Sequence, residues 1–380
     1  MSDIKAIYIH VPFCRRRCKY CSFISYQSRE SDIPAYIDAV KNEFSLRSGN
    51  SIINTVYFGG GTPSLLAAPQ ISSLTSAMKD NFNLANDCEI TMEANPGTID
   101  LNYLSEVKAA GINRLSIGIQ SFNDEELSML GRIHTAKDAL NAIKDAREAA
   151  FDNLNIDLIY GLPGQSVDNW KDSLVKAVEV NPDHMSLYPL TLEPEEPLFK
   201  EIESRVLPEI SADTAAIQYE LAEQLLEKHG YIHYEISNWA KPGKECLHNL
   251  VYWQGGEYLG IGVAAHSYIV NRRSANTADL SQYIESSSHN SLPPQEVDET
   301  ITPETEIAES IILGLRLCNG IDTKDFKKRF NIDIMKRYGR QIEELINFGL
   351  IENDENGIRL SPRGRLLGNE VFWRFLPDKL

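Results

Sequence analysis

Strand-like segments alternate with helix-like segments along the first 240 residues, and each strand-helix unit takes roughly 30 residues. Parallel strands require a crossover connection of about this length, usually a helix, so the alternation predicts a parallel sheet of the α/β class. Six or seven such units in series favour a TIM-like βα barrel, complete or partial, over a doubly wound sheet. The predicted strands are residues 6–11, 55–60, 89–94, 114–120, 154–161 and 184–190, with 231–237 as the candidate seventh.

The chain divides into three predicted parts. At 380 residues it is longer than a single small core accommodates. Residues 286–300 (SSSHNSLPPQEVDET) are rich in serine and proline, which is typical of a linker. The formal charge of −17 arises entirely before residue 301, because acidic and basic residues balance after it. We therefore predict a βα barrel over 1–240, a further segment and linker over 241–300, and a C-terminal domain over 301–380.

The C-terminal domain is predicted to be mostly helical and winged-helix-like, because helical patterns precede a hairpin with a glycine turn. On fold alone, the basic stretches 324–330 and 335–340 would suit DNA. The domain is net neutral, however, and the whole chain is acidic, whereas phosphate neutralisation supplies most non-specific affinity for nucleic acid. We therefore predict a lid or partner-docking module and no nucleic-acid partner.

The composition points to the cytoplasm. No apolar run approaches the roughly 18 residues of a membrane span, so we expect no integral membrane segment. The first residues, MSDIKAIYIHVPF, enter a strand pattern directly, without the features of a signal peptide. Six cysteines are too few for a disulfide scaffold in a chain of this length, and three of them are clustered, which favours a metal site in a reducing compartment.

Unusual residues occur repeatedly where the predicted strands end. In parallel α/β barrels the functional side chains lie at this C-terminal edge of the sheet. We therefore expect a cofactor site there. The residues in question are Cys14 after the first strand, the segment 59–63 (GGGTP) after the second, Glu93, Gln120 and Asp157 at or near the ends of the next three, and the loop 161–165.

Residues 10–23 (HVPFCRRRCKYCSF) place Cys14, Cys18 and Cys21 in a CxxxCxxC pattern. A structural zinc site needs four protein ligands, which would require a distant fourth such as His10 or Cys246, and the sequence has no second CxxC pair. Iron–sulfur clusters are also held by closely spaced cysteine thiolates. A four-iron cluster with three thiolates would leave one iron open for a ligand.

CxxxCxxC with Tyr20 before the third cysteine, followed by GGGTP after the second strand, resembles the radical S-adenosylmethionine (SAM) superfamily, over about residues 4–375. The resemblance implies a [4Fe-4S] cluster on Cys14, Cys18 and Cys21. It also implies that the open iron chelates SAM and that an electron from the cluster can cleave the sulfonium. The residues that the resemblance places around SAM are Tyr8, Tyr20, Gly60, Gly61, Thr62, Glu93, Gln120, Arg132 and Asp157.

Within that superfamily, four segments resemble oxygen-independent coproporphyrinogen III oxidase (HemN) and its relatives: YIHVPFC, GGGTP, QSFNDEELSMLGRIH and IDLIYGLPGQ. Those enzymes oxidatively decarboxylate two propionates of a porphyrinogen. They have a fourth cysteine two positions after the third, where this chain has Phe23, and an extension ahead of the first strand, where it has about five residues. We expect no such decarboxylation. Another radical SAM reaction on a tetrapyrrole is left open.

The hexapeptide HNLVYW (residues 248–253) resembles the HNxxYW signature of the heme chaperones called HemW. The resemblance implies heme held by His248, Asn249, Tyr252 and Trp253. A neutral imidazole can be an axial iron ligand, and the two aromatic side chains offer flat apolar surface. Outside this context His248 would read as a capping or core histidine, and Cys246 and His266 are alternative ligands.

The main functional hypothesis is therefore a heme chaperone with a [4Fe-4S] cluster and SAM. Its partners would be heme, a heme-acceptor protein and an electron donor. The rival hypothesis is a radical SAM enzyme of the coproporphyrinogen oxidase type. The remaining cysteines, Cys88 and Cys318, lie in apolar patterns and are predicted to pack in the core.

Overall fold

One twelve-stranded sheet carries most of the chain in a computed structural model that describes residues 4–355 and 357–377. Residues 1–3 and 378–380, the outer ends of two predicted domains, lie outside the described residues, as does Asn356 in the predicted hairpin. Six consecutive strands pair in chain order, each parallel to the next. They are β1 (Ala6–Val11), β2 (Gly49–Gly60), β3 (Phe82–Ala94), β4 (Arg114–Gln120), β5 (Leu154–Tyr160) and β6 (His184–Pro189).

Helices connect these strands, which confirms the predicted strand-helix alternation. Several begin at a side-chain cap that satisfies free backbone N–H groups; for example, Thr135 and Asp138 form a reciprocal capping box. The helices of this part are α1 (Ile33–Leu46), α2 (Ala68–Asn81), α3 (Leu101–Ala109), α4 (Asp124–Met129), α5 (Ala136–Glu148), α6 (Val167–Glu179), α7 (Pro197–Glu203) and α8 (Ala212–Lys228).

The prediction that residues 231–237 form a seventh parallel strand is wrong. The chain here forms β7 (Ile232–Glu235) and β8 (Asn238–Ala240), which pair antiparallel with each other, and β8 pairs antiparallel with β6. Only residues 236 and 237 separate the two strands. A connection of that length permits a hairpin but not the crossover that a parallel neighbour requires.

The opposite edge of the sheet is built from residues that follow the predicted barrel. Strand β9 pairs parallel with β1, and β10, β11 and β12 then add antiparallel. The sheet therefore ends at β12 on one side and β7 on the other, so the barrel is partial. These elements are α9 (Leu247–Trp253), β9 (Tyr258–Ile261), β10 (His266–Ile269), β11 (Arg272–Asn276), α10 (Leu280–Ser288) and β12 (Gln295–Thr300).

The predicted linker, 286–300, is wrong at both ends: residues 286–288 belong to α10, and residues 295–300 form β12. Opposite charges on β11 stabilise this edge strand: Arg272 pairs with Asp298, and Arg273 Nη1 lies 3.1 Å from the Glu299 carboxylate. Cross-strand pairs of opposite charge favour sheet formation. The acidic end of the predicted linker is thus matched by arginines that lie more than twenty residues earlier.

A buried carboxylate ties the 241–300 segment to the start of the chain. Glu43 of α1 is 2% exposed and accepts hydrogen bonds from four groups. They are Arg47 Nε at 2.8 Å, Asn276 Nδ2 at 2.9 Å, the Gly262 backbone N–H at 2.9 Å and the Tyr283 hydroxyl at 2.7 Å. Three of these donors come from 262–283, so that segment belongs to the body of the sheet.

The last part of the chain has its own hydrophobic cluster, which includes Ile311, Phe326, Ile342 and Phe375. Its order of three helices, a β-hairpin and two short helices agrees with the predicted winged-helix-like domain. No helix in the described ranges has the length and apolar character needed to cross a membrane. The elements are α11 (Pro303–Gly314), α12 (Thr323–Phe330), α13 (Ile334–Asn347), β13 (Ile351–Asp354), β14 (Gly357–Leu360), α14 (Pro362–Leu366) and α15 (Gly368–Phe372).

Candidate cofactor site

A cavity of about 410 Å³, here called the central cavity, opens at the C-terminal ends of the parallel strands. Every one of the first six strands, or the loop after it, contributes to its wall. Most of the residues predicted to bind the cluster and SAM line it together. They are Cys14, Cys18, Tyr20, Cys21, Gly60, Gly61, Thr62, Glu93, Gln120, Arg132 and Asp157.

The three clustered cysteines lie on one loop after β1 and face this cavity with unpaired thiols. The loop is folded back on itself by backbone hydrogen bonds from Cys14 N–H to the Tyr26 carbonyl (3.1 Å) and from Cys21 N–H to the Cys18 carbonyl (3.2 Å). Phe23, at the position of the fourth cysteine in the decarboxylases, is 66% exposed and also lines the cavity.

Polar side chains fix two of the thiols. Arg132 Nη1 donates to Cys18 Sγ at 3.4 Å, and its Nη2 donates to the Gly118 carbonyl at 2.6 Å and to the Asn95 side chain. Thr62 Oγ1 lies 3.4 Å from Cys14 Sγ and accepts from Asn95 Nδ2 at 3.0 Å. One guanidinium therefore connects the cysteine loop to the ends of β3 and β4.

The glycines of GGGTP are required by packing at the end of β2. Gly60 has φ +110°, and a Cβ built there would lie 2.7 Å from the His10 ring. A Cβ on Gly61 would lie 2.7 Å from the Phe13 carbonyl oxygen. A side chain at either position would therefore displace the end of β1, from which the cysteine loop departs.

Glu93 lies at the end of β3 and is held by two donors, the Tyr57 hydroxyl at 2.9 Å and the Gly60 N–H at 3.3 Å. Burial, and after it the Asp157 carboxylate, raise the pKa of Glu93 to about 7. The two hydrogen bonds and the charge of Arg114 lower that pKa and only partly offset the rise. Glu93 therefore changes its charge close to neutral pH.

Two more predicted residues occupy the ends of β4 and β5. Asp157 accepts from Asn155 Nδ2 at 2.7 Å and from Ser116 Oγ at 3.2 Å, and burial raises its pKa. Gln120 has φ +70°, a left-handed backbone that costs a non-glycine residue about 1–3 kcal/mol. The pairing of β4 with β5 shifts register beside it. The strain occurs where a side chain is aimed into the cavity.

Sequence reasoning missed further polar residues of the wall. Asn95 directly follows β3, and Ser186 and Tyr188 lie in β6, so the strand-end rule could have found them. The strand-end rule could not have found Arg114 or Tyr57. Arg114 begins β4 and is 2% exposed, yet it reaches the cavity and lies 4.0 Å from Glu89.

The structure places His248 in the interior beside the central cavity. It is 1% exposed, and both ring nitrogens have partners: Nδ1 lies 2.6 Å from Thr55 Oγ1, and Nε2 lies 2.9 Å from the Tyr252 hydroxyl. Burial lowers its pKa to about 3, so the imidazole is neutral. To reach an iron atom, the ring would have to release one of these two partners.

The other residues of the hexapeptide face two different spaces. Asn249, like Cys246, lines the central cavity, whereas Tyr252 and Trp253 line a second cavity of about 370 Å³. We call this second space the side cleft. It is lined by Tyr252, Trp253, Tyr258, Tyr268, Arg273 and Arg329, together with one face of α11. Helix α9 thus lies between the two spaces.

Three further candidate ligand contacts lie away from the walls of both cavities. Tyr8 does not line the central cavity but stacks on Tyr57 with ring centroids 6.2 Å apart, behind Glu93. His266, an alternative heme ligand, is exposed at the start of β10. His10, a candidate zinc ligand, uses Nε2 on the Ile24 carbonyl at 3.0 Å, and its Nδ1 lies 3.3 Å from the Tyr8 hydroxyl.

The partial βα barrel with three cysteines at its C-terminal edge defines a radical SAM protein. Residues 8–177 match the radical SAM superfamily, and residues 301–367 match the HemN C-terminal domain. The chain is 35% identical to the heme chaperone HemW of Bacillus subtilis, over 99% of this chain and all of that protein. It is 36% identical to the Lactococcus lactis heme chaperone HemW, over 98% of this chain and 97% of the relative. The chain belongs to the HemW family of radical SAM proteins.

A solved structure of a catalytic relative has the same fold. Coproporphyrinogen III oxidase (HemN) from Escherichia coli, a radical SAM enzyme, superimposes with a TM-score of 0.84 at 27% identity, over 98% of this chain and 90% of the enzyme. The similarity extends through the C-terminal domain. It confirms the predicted fold class and shows how closely a chaperone family and an enzyme share one architecture.

Membership of the superfamily implies a [4Fe-4S] cluster and SAM, and the central cavity fits both. Its wall supplies three thiols that are not in disulfides, with a guanidinium beside one of them. Among the described residues, no three His, Cys, Asp or Glu side chains converge as they would on a single ion. Thiols that each bind a different iron of a cluster need not converge in that way. When bound, the cluster supplies the electron that can cleave the SAM sulfonium.

The pKa of Glu93 predicts a pH-dependent affinity for SAM. Below pH 7 the carboxyl is mostly protonated, and above pH 7 it is mostly an anion. At the position beside SAM that the family resemblance implies, this anion would attract the sulfonium cation and accept hydrogen bonds from ribose hydroxyls. We expect SAM to bind roughly tenfold more tightly at pH 8 than at pH 6, measured by calorimetric titration of the iron-loaded protein. Glu93→Gln should flatten this dependence. An equally steep dependence in the variant would assign it to another group.

Proposed function

We propose that this protein is a heme chaperone: it binds heme, holds a [4Fe-4S] cluster with SAM in the central cavity, and delivers the heme to an acceptor protein. An electron donor would reduce the cluster. The cytoplasm is the proposed compartment, which suits six cysteines that are all unpaired. The observation that carries the proposal is the hexapeptide 248–253, which forms α9 and separates the central cavity from the side cleft.

His248 is part of the hexapeptide on which the proposed heme binding rests. A buried neutral imidazole can ligate iron, or it can hold the Tyr252 phenol that it now contacts. Tyr252 and Trp253 supply the remaining contacts, and their aromatic rings offer flat surface to the porphyrin. Asn249 belongs to the same hexapeptide but faces the central cavity, so no heme contact is assigned to it. Cys246 donates weakly to Glu89 at 3.8 Å inside the protein, and it is not assigned to heme.

A heme titration tests the proposal. We expect wild-type protein to bind heme, and His248→Ala to bind it roughly tenfold more weakly with a shifted Soret band, because one buried partner of the site is lost. Complete loss is not expected, since Tyr252 and Trp253 still bury the porphyrin. Iron content of the cluster, measured before heme is added, should be unchanged. Equal affinity and an equal spectrum in the variant would contradict the assignment of heme to this segment.

Tyr252→Phe separates the two roles of His248. The substitution keeps the ring but removes the hydroxyl that lies 2.9 Å from His248 Nε2. If the imidazole ligates iron, freeing Nε2 should preserve or improve heme affinity and keep the wild-type Soret band. If the imidazole positions Tyr252, the variant should weaken heme binding in the same way as His248→Ala.

The second candidate function is decarboxylation of coproporphyrinogen III, which the structural likeness to HemN favours. Phe23 in place of a fourth cysteine argues against it. We expect iron-loaded protein given reductant, SAM and coproporphyrinogen III under anaerobic conditions to form no vinyl product by chromatography. Stoichiometric conversion would make this chain an enzyme, and the heme titration would then report product affinity.

A further inference from the structure

The side cleft is a second cavity, separate from the central cavity. None of the residues that line it also lines the central cavity. Its walls come from the end of α9 and from β9, β10 and β11 on one side, and from α11 and α12 on the other. Its volume of about 370 Å³ lies in the range of small-molecule sites, which are commonly built at such junctions between parts of a protein.

Aromatic rings dominate one wall of the cleft. The rings of Tyr252 and Tyr258 are 4.7 Å apart at a near-perpendicular angle, and Trp253 and Tyr268 extend the same surface. Leu313 of α11 faces them. On its other side the Trp253 ring is covered by the Arg316 guanidinium at 4.3 Å, which fixes its orientation. Rigid rings around a narrow space suit a flat apolar ligand.

Two arginines add positive charge to this apolar space. Arg273 Nη2 lies 2.7 Å from Glu309, and Arg329 Nη2 lies 3.3 Å from Glu306. Arg329 also donates to the carbonyls of Gln254 (3.1 Å) and Gly255 (3.2 Å), so it spans from α12 to the end of α9. Both guanidinium groups are thus held in place and already matched to carboxylates.

We propose that the side cleft binds the porphyrin of heme, with the ring against the aromatic wall and the propionates on Arg273 and Arg329. This inference rests on the proposed function and names its site. The carboxylates of Glu306 and Glu309 are partly exposed, so they can return to water when the propionates take their places. In that exchange each arginine replaces one carboxylate partner with another, so its ion pairing contributes little net affinity. The ring contacts therefore supply most of the affinity, and the arginines set the orientation.

Filling the cleft is the direct test. Ser310 lies on α11 in its wall, and Ser310→Trp should weaken binding of heme and of metal-free protoporphyrin IX by roughly tenfold or more, measured by fluorescence quenching. Loss of metal-free porphyrin shows that the ring itself is excluded. Ser105→Trp, on the exposed face of α3, is the matched control and should leave both affinities and the iron content unchanged.

The arginines are tested by a matched pair on β11. Arg273→Gln should weaken binding of protoporphyrin IX by roughly fivefold but not that of its dimethyl ester, which has no free carboxylates. Arg272→Gln removes an ion pair to Asp298 outside the cleft, and should change neither affinity. If wild-type protein binds heme while Ser310→Trp and Arg273→Gln bind it equally well, the cleft is not the site and the proposed function stands. If wild-type protein binds no heme, the proposed function fails as well.

Discussion

Alanine in place of Cys14, Cys18 or Cys21 should remove the iron–sulfur chromophore and nearly all iron from anaerobically reconstituted protein. Each of these thiols lies on the loop after β1 and faces the central cavity, and each would bind a separate iron of the cluster. Loss of one thiolate leaves two protein ligands for four irons. The absorbance of the cluster's charge-transfer bands reports loss of the chromophore, and an iron assay reports loss of the metal.

Three other cysteines serve as controls for that loss. Cys88 packs in the main hydrophobic cluster. Cys318 lies away from the central cavity, and its backbone N–H donates to the Tyr234 carbonyl. Cys88→Ala and Cys318→Ala should keep the full iron content. Cys246 does line the central cavity, so Cys246→Ala is the more demanding control. If it also destroyed the cluster, the assignment of three cysteine ligands and an open iron would be incorrect.

Glu43→Ala should destabilise the protein by about 3–5 kcal/mol, as expected when one partner of a buried, hydrogen-bonded ion pair is removed. The substitution leaves the Tyr283 hydroxyl and the Gly262 N–H without their acceptor and Arg47 without its counter-charge. Asn276 Nδ2 loses one of its two acceptors and keeps the Gly262 carbonyl at 2.9 Å. The free energy of unfolding of iron-free protein, measured by urea denaturation, tests this expectation.

A glutamate with exposed surroundings provides the comparison. Glu148 pairs with Lys144 one turn earlier on α5, and both side chains are largely exposed. Such pairs contribute little, so Glu148→Ala should change stability by no more than about 0.5 kcal/mol. A Glu43→Ala variant as stable as this control would mean that the 262–283 segment does not depend on α1 for its position.

The parallel centre of the sheet was predictable because each of its strands is a short apolar run followed by a helical pattern. The predicted limits of β4 match the structure, and those of β5 differ by one residue. The early halves of β2 and β3 were missed, since polar residues such as Asn50, Asn83 and Asp87 interrupt the apolar pattern there. The edge strands β8 to β12 escaped because each is only three to six residues long, too short to display a clear alternating pattern.

The candidate site was predictable to the extent that a strand end determines where a side chain points. Glu93, Gln120 and Asp157 were found in this way, and the cysteine spacing predicted three side chains that line the same cavity. Arg114 could not be found, because it begins its strand and reaches the cavity through the sheet interior. The surroundings of His248 depend on how α9 packs against Thr55 of β2, which no local pattern records.

Helix α9 contributes to the walls of both the central cavity and the side cleft. Asn249 faces the central cavity, Tyr252 faces the side cleft, and His248 between them is bonded to the strand on one side and to Tyr252 on the other. With heme in the side cleft and SAM in the central cavity, as proposed, thermodynamic reciprocity would apply: whatever free energy SAM adds to or removes from heme binding, heme would add to or remove from SAM binding by the same amount. The ease with which an acceptor protein removes heme from the side cleft would then depend on whether SAM occupies the central cavity on the other side of this seven-residue helix.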